Sequence, residues 1–168
     1  MEFLSFGKSH ESQRGYFAAS LYEAMVANKD VWLVVADLGY GVFDKHFRDF
    51  PDRTLNTGAS EQAAAGICVG LALEGKSPFF YTISSFLARC IETIHLYSSH
   101  EQIPVVWVGS GRDNDYTHDG ISHAGQFAQA TIGLLNMDQY YPQNKEEVPG
   151  MVSEILENRK PSFLSLTR

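Results

Sequence analysis

Asn56-Thr57-Gly58-Ala59-Ser60-Glu61-Gln62 runs into Ala63-Ala64-Ala65-Gly66-Ile67-Cys68-Val69-Gly70-Leu71-Ala72-Leu73, and this stretch decides the fold. Ser60 stands where a helix N-cap is expected, so Glu61 falls in the first turn. Gly75, after Glu74, marks the C-terminal stop. A helix apolar on every side is expected to be buried on every side. Its leading carboxylate would then sit at the rim of the core. Acids are ordinary in first turns, because backbone N–H groups and the helix dipole favour negative charge there. Glu61 alone therefore reads first as an ordinary helix-start residue, and only the surrounding sequence raises the functional reading.

Outward from this helix, apolar runs alternate with helical periodicity. Residues 12–28 carry Tyr16, Phe17, Leu21, Ala24 and Met25 on helical spacing. Val31-Trp32-Leu33-Val34-Val35-Ala36 has the continuous apolar character of a strand covered on both faces. Residues 43–50 form a short helix ended by Pro51, and Arg53–Asn56 a short strand. Downstream, strands are expected at 78–83, 105–110, 138–142 and 162–166, with helices at 84–100, 124–134 and 146–158. Strict alternation of this kind predicts an α/β fold, a mainly parallel sheet sandwiched by helices. The 168 residues read as a single domain, 1–168, with residues 1–12 polar and loose.

Composition narrows the classes. Apolar residues make up 44% and the net charge is −7, with no basic cluster. This speaks against disorder, nucleic-acid binding and attachment to an anionic membrane. Cys68 and Cys90 fall in apolar helical patterns and read as buried, reduced thiols. No signal peptide or membrane-spanning run is legible, so a cytoplasmic location is the default expectation.

A second concentration of chemistry is Gly111-Arg112-Asp113-Asn114-Asp115-Tyr116-Thr117-His118-Asp119-Gly120-Ile121-Ser122-His123. The loop is long for its place, which makes it a functional candidate. His118, Asp119 and His123 are metal-ligand types, but histidines five apart without a third firm ligand make a weak pattern, and no metal site is assigned. A solvated turn is the plain alternative.

Three segments carry a family resemblance. Residues 52–79, from Asp52 through Glu61 and the Gly/Ala helix to Phe79, resemble the pyrimidine-binding domain of transketolase-type, thiamine-diphosphate-dependent enzymes, and that of deoxyxylulose-phosphate synthases. Asp119-Gly120-Ile121-Ser122-His123 is similar to the family's Asp-Gly-x-Thr-His segment, with Ser for Thr. Ser84-Ser85-Phe86-Leu87-Ala88-Arg89 resembles its Ser-Thr-Phe-Leu segment. The resemblance implies that Glu61 hydrogen-bonds N1′ of the cofactor's aminopyrimidine and drives its activation. It puts Ser85, Phe86 and Arg89 around that ring, and gives Asp119, His123 and Arg112 to the substrate, with His123 assisting proton transfers. Arg89 and Glu92 stand where transketolases carry further aromatics, a departure toward the synthase pattern in which a guanidinium stacks on the ring.

The family's diphosphate and Mg²⁺ site, marked by Gly-Asp-Gly, has no counterpart here. The resemblance therefore implies a separate partner subunit bearing that site and its Mg²⁺ ligands, in a heterotetramer with this chain. Gly66 and Gly70 would admit either a partner helix or close packing on the chain's own sheet. The implied activity is transfer of a two-carbon ketol unit from a ketose or sugar phosphate to an aldehyde. A two-subunit 2-oxo acid decarboxylase or synthase, and a non-catalytic scaffold paralogue, are the alternatives.

Overall fold

The computed structural model describes residues 11–112 and 115–168. The expected loose segment at 1–12 lies outside these except for Glu11 and Ser12, and Asp113 and Asn114 of the polar loop lie outside them as well. Six strands form one sheet: β1 (Val31–Val35), β2 (Thr54–Asn56), β3 (Ser77–Ile83), β4 (Val106–Ser110), β5 (Asp138–Tyr140) and β6 (Ser162–Leu166). Their order is β2-β1-β3-β4-β6-β5 and every pairing is parallel. The expected α/β sandwich is the observed fold.

Period-two alternation along the strands divides the core. Leu33, Val35, Phe79, Tyr81, Val106, Val108 and Leu164 face α1 (Gln13–Ala27), the segment before α2 (Asp44–Asp49), and α6 (Val148–Asn158). Val34, Phe80, Trp107 and Phe163 face α3 (Glu61–Leu73), the helical stretch 84–100, and α5 (Gln126–Ile132). The crossovers to β2 and to β6 thus cover one face and the three between them the other, and the order in which strands are added reverses beside β1. In open parallel sheets, the C-terminal strand ends at such a point form the binding crevice.

α3 spans the expected residues, but two details differ. Ser60 occupies the N-cap position without a side-chain capping bond. At the other end, Gly75 at φ +79° donates to Ala72 and Lys76 donates to Leu71, a Schellman closure that a Cβ would strain. The larger difference is burial. Glu61, Ala64, Ala65, Cys68, Val69 and Ala72 are buried against the sheet, whereas Ala63, Gly66, Ile67, Gly70 and Leu73 are exposed. The expectation of burial on every side is corrected: a single sheet layer covers one face of a helix. Gly66 and Gly70 therefore do not pack on the chain's own sheet, and a Cβ added at either meets nothing within 4 Å.

The stretch 84–100 is not one α-helix. Ser84–Cys90 is wound as a 3₁₀-helix, Ile91–Thr93 makes one α turn (α4), and Ile94–His100 is a π-helix. Tight winding followed by loose winding keeps Leu87, Cys90 and Ile94 buried while turning Phe86 and Arg89 toward the strand ends. The close approach of this stretch to β4 depends on Gly109, where a Cβ would lie 2.7 Å from Ser84 Oγ. Cys68 and Cys90 are both buried and unbridged, as expected. No helix among the described residues is long and apolar enough to cross a membrane.

Candidate active site

Four strand ends converge at the C-terminal edge of the sheet. β1 leads into Asp37–Gly41, β2 into the approach to Glu61, β3 into Ser84–Arg89, and β4 into the loop ending at His123. The parallel topology thus gathers segments far apart in sequence.

Glu61 is 4% exposed, a carboxylate almost wholly withdrawn from water. Its Oε1 accepts a hydrogen bond from Arg89 Nη1 at 2.6 Å, and the Arg89 side chain is half exposed. An ion pair with one buried and one wet partner compensates the carboxylate from its solvent side. The Arg89 guanidinium lies 4.0 Å from the centroid of the Phe86 ring, a cation–π stack. Phe86 in turn meets the His123 ring edge-on at 5.0 Å. Glu61, Arg89, Phe86 and His123 therefore form one continuous series, drawn from three segments. His123 Nδ1 is 3.0 Å from Ser122 Oγ. Cys90 lies under the series. Burial, followed by the Glu61 charge, pushes its thiol up to about 12, so it stays protonated and inert.

Ser85 is at the same 3₁₀ turn, with a buried hydroxyl that has no hydrogen-bond partner among the described residues. Asp119 ends one 3₁₀ turn and His123 the next, with Gly120 between them at φ +96°. Asp119 is exposed and its Oδ2 lies 3.4 Å from His118 Nε2. Among the described residues, no group of three or more His, Cys, Asp or Glu side chains is placed to hold a metal ion. Arg112 has a different environment from the other expected site residues. Its Nη2 donates to the carbonyls of Pro142, at 2.9 Å, and Ser165, and its guanidinium lies 5.6 Å from the Tyr141 ring. These bonds brace the base of the loop against β6.

The sequence reads residues 37–41 as a loop at the C-terminal end of β1, where ligands gather in such sheets, but singles out none of its side chains. Asp37 is a non-glycine residue at φ +53°. Its carboxylate accepts from the Tyr40 hydroxyl, which raises the Tyr40 pKa. A left-handed aspartate is a structural fact with no sequence signature beyond the tolerance of Asp for that region.

The residues present fit the pyrimidine half of thiamine diphosphate. A buried carboxylate suits a ring N–H, and an aromatic–guanidinium wall suits a flat heteroaromatic ring.

Comparison with known proteins places the chain in a family. A family model described as "Transketolase, pyrimidine binding domain" matches residues 12–168. The chain is 32% identical over 145 residues to "1-deoxy-D-xylulose-5-phosphate synthase 1, chloroplastic" of Cannabis sativa, covering 85% of this chain and 20% of that protein. It is 26% identical over 164 residues to an uncharacterized 33.6 kDa protein of the Rhodococcoides fascians fasciation locus, covering 95% of this chain and 52% of that one. Among solved structures, a split gene transketolase in an inactive beta4 tetramer superposes with TM-score 0.82 at 26% identity, covering 94% of this chain and 52% of that one. Transketolase of Campylobacter jejuni superposes with TM-score 0.84 at 18% identity, covering 98% and 27%, a likeness of fold. The chain thus spans about half or less of the length of each of these relatives. Family match and fold agree, and the chain belongs to the transketolase pyrimidine-binding domain family.

Proposed function

We propose that this chain is the pyrimidine-binding subunit of a two-chain, thiamine-diphosphate-dependent transketolase-like enzyme, transferring a two-carbon ketol unit from a ketose or sugar phosphate to an aldehyde. The observation that carries the reading is the buried Glu61 carboxylate at the mouth of α3, opening onto the Arg89–Phe86–His123 series. The chemistry supplied by the bound cofactor is that of a nucleophilic carbon able to hold a two-carbon unit. Glu61 holds a proton shared with the aminopyrimidine N1′, and its burial strengthens that bond by excluding water. Phe86 and Arg89 pack the ring, and the Ser85 hydroxyl is available to it. His123, whose imidazole nitrogens can donate and accept, gives and takes protons on the substrate side. Asp119 accepts hydrogen bonds from substrate hydroxyls. Arg112 holds the loop that presents both.

The diphosphate and Mg²⁺ fall to a separate subunit in this reading. Support comes from the similarity to a split gene transketolase and from the exposed apolar face of α3, which suits a partner in a heterotetramer. A second reading, a synthase taking a 2-oxo acid donor, is favoured by one observation: Arg89 stacked on Phe86, together with the likeness to deoxyxylulose-phosphate synthases. Donor turnover separates the two. With the partner present, ketoses should be consumed without release of CO₂, and His123→Ala should lower kcat/KM for the ketose by about a hundredfold while cofactor binding holds. Turnover of 2-oxo acids with CO₂ release, and none of ketoses, would establish the second reading instead.

A further inference from the structure

The backbone that delivers Glu61 is not fixed by a helix cap, since Ser60 makes no side-chain capping bond. Something else must hold the four residues between β2 and α3. Asn56, the last residue of β2, does so with one atom. Its Oδ1 accepts from the Gly58 N–H at 3.0 Å and from the Asp37 N–H at 3.0 Å. Gly58, at φ +70°, turns the chain, and its carbonyl accepts from Ser60 N at 2.7 Å. The Ser60 carbonyl then accepts the first helical bond, from Ala64 N at 3.0 Å. An unbroken set of bonds therefore runs from the Asn56 amide to the first turn of α3. Alongside it, Thr57 N bonds the Val35 carbonyl at 3.0 Å.

The same Asn56 oxygen accepts from the left-handed Asp37. Tyr40 in turn donates to the Asp37 carboxylate. The loops after β1 and β2 lead to opposite faces of the sheet, and Asn56 is the point at which they are tied.

We propose that Asn56 is a positioning residue: it clasps the Asp37–Gly41 loop to the Glu61 approach, so that the carboxylate and the neighbouring loop are presented to the cofactor as one rigid unit. The proposal rests on the Glu61 reading above. Asparagine suits the task because one carbonyl oxygen accepts two backbone N–H groups while its NH₂ remains a donor. Aspartate keeps the acceptor and alanine removes it.

The test titrates thiamine diphosphate with Mg²⁺ into the complex of this chain with the diphosphate-domain subunit that co-purifies with it. Asn56→Ala should weaken binding about fivefold, the scale of two solvent-accessible hydrogen bonds, with the melting temperature nearly unchanged. Asn56→Asp should restore affinity to within about twofold of wild type. In the unaltered chain, hydrogen exchange at the Gly58 and Asp37 amides should be slowed. Glu61→Gln in parallel keeps the two claims apart. Wild-type affinity in Asn56→Ala alongside loss in Glu61→Gln overturns the clasp alone, as does equal loss in Asn56→Ala and Asn56→Asp, or unslowed exchange at both amides. Wild-type behaviour of Glu61→Gln overturns the Glu61 reading and the clasp with it.

Discussion

α3 and α6 cover opposite faces of the same sheet, yet they are built differently. α6 buries Val148, Val152 and Ile155 and shows water Ser153, Glu154, Glu157 and Asn158. It is an ordinary amphipathic helix whose packing ends within this chain. α3 buries Ala64, Ala65, Cys68, Val69 and Ala72, then shows water Ala63, Gly66, Ile67, Gly70 and Leu73. Beside that outer stripe lie Leu96 and Tyr97, at 44% and 42% exposed, on the π-wound stretch. The difference teaches that one side of the sheet is finished with a polar surface while the other keeps an apolar outer face. An apolar contiguous face is characteristic of an interaction surface, and here it adjoins the element that carries Glu61.

Breaking the contrast at α3 should give the largest effect. Gly70→Arg puts a charge on the outer stripe where the chain's own fold has room, since a Cβ there meets nothing within 4 Å. Affinity for the partner subunit, measured by analytical ultracentrifugation, should fall about a hundredfold or more, with the isolated chain's melting temperature almost unmoved. Partner affinity unchanged in Gly70→Arg would detach the stripe from assembly.

The finished side supplies a pH test. His46 of α2 is fully buried, edge-on to Tyr22 and Phe43, and burial lowers its pKa to about 4. Between 6.5 and about 4 the unfolded chain binds a proton at this position that the folded chain refuses. Stability is therefore unaffected by His46 above pH 6.5. It declines as pH falls through the window, by at most about 1.4 kcal/mol per pH unit. Urea unfolding of wild type and His46→Phe across pH 4–7 should show the slope in the first and its flattening in the second. The smallest effect is expected at the exposed face of α6: Ser153→Arg should alter stability by no more than about 0.5 kcal/mol and leave assembly intact.

The contrast also shows what a sequence can disclose. The strands were legible because β-branched and aromatic runs such as Val31–Val35 and Phe79–Tyr81 leave little choice, and alternation with helices fixed a parallel sheet. Glu61, Phe86, Arg89 and His123 were legible because the segments around them carry family patterns. Which surface covers α3 was not. Apolar residues on all sides state that burial is wanted, and periodicity cannot say whether the cover belongs to this chain. The 3₁₀ start of 84–100 escaped because it answers to the close approach of Ser84 to Gly109, a contact between this stretch and β4. Asn56 and Asp37 escaped because their bonds join residues 19 apart through backbone N–H groups, which every residue type but proline carries. Arg112 was assigned by loop position, and only the fold brings it to the carbonyls of Pro142 and Ser165.

The central claim is that Glu61 serves a thiamine cofactor held between this chain and a partner. The direct measurement is calorimetric titration of thiamine diphosphate with Mg²⁺ into the chain alone, into its complex with the co-purifying subunit, and into that complex carrying Glu61→Gln, followed by ketose turnover in each. The account predicts tight binding only in the complex, and turnover reduced by about a hundredfold or more in Glu61→Gln. Absence of binding in the complex, or turnover in Glu61→Gln equal to that of the unaltered complex, would contradict it.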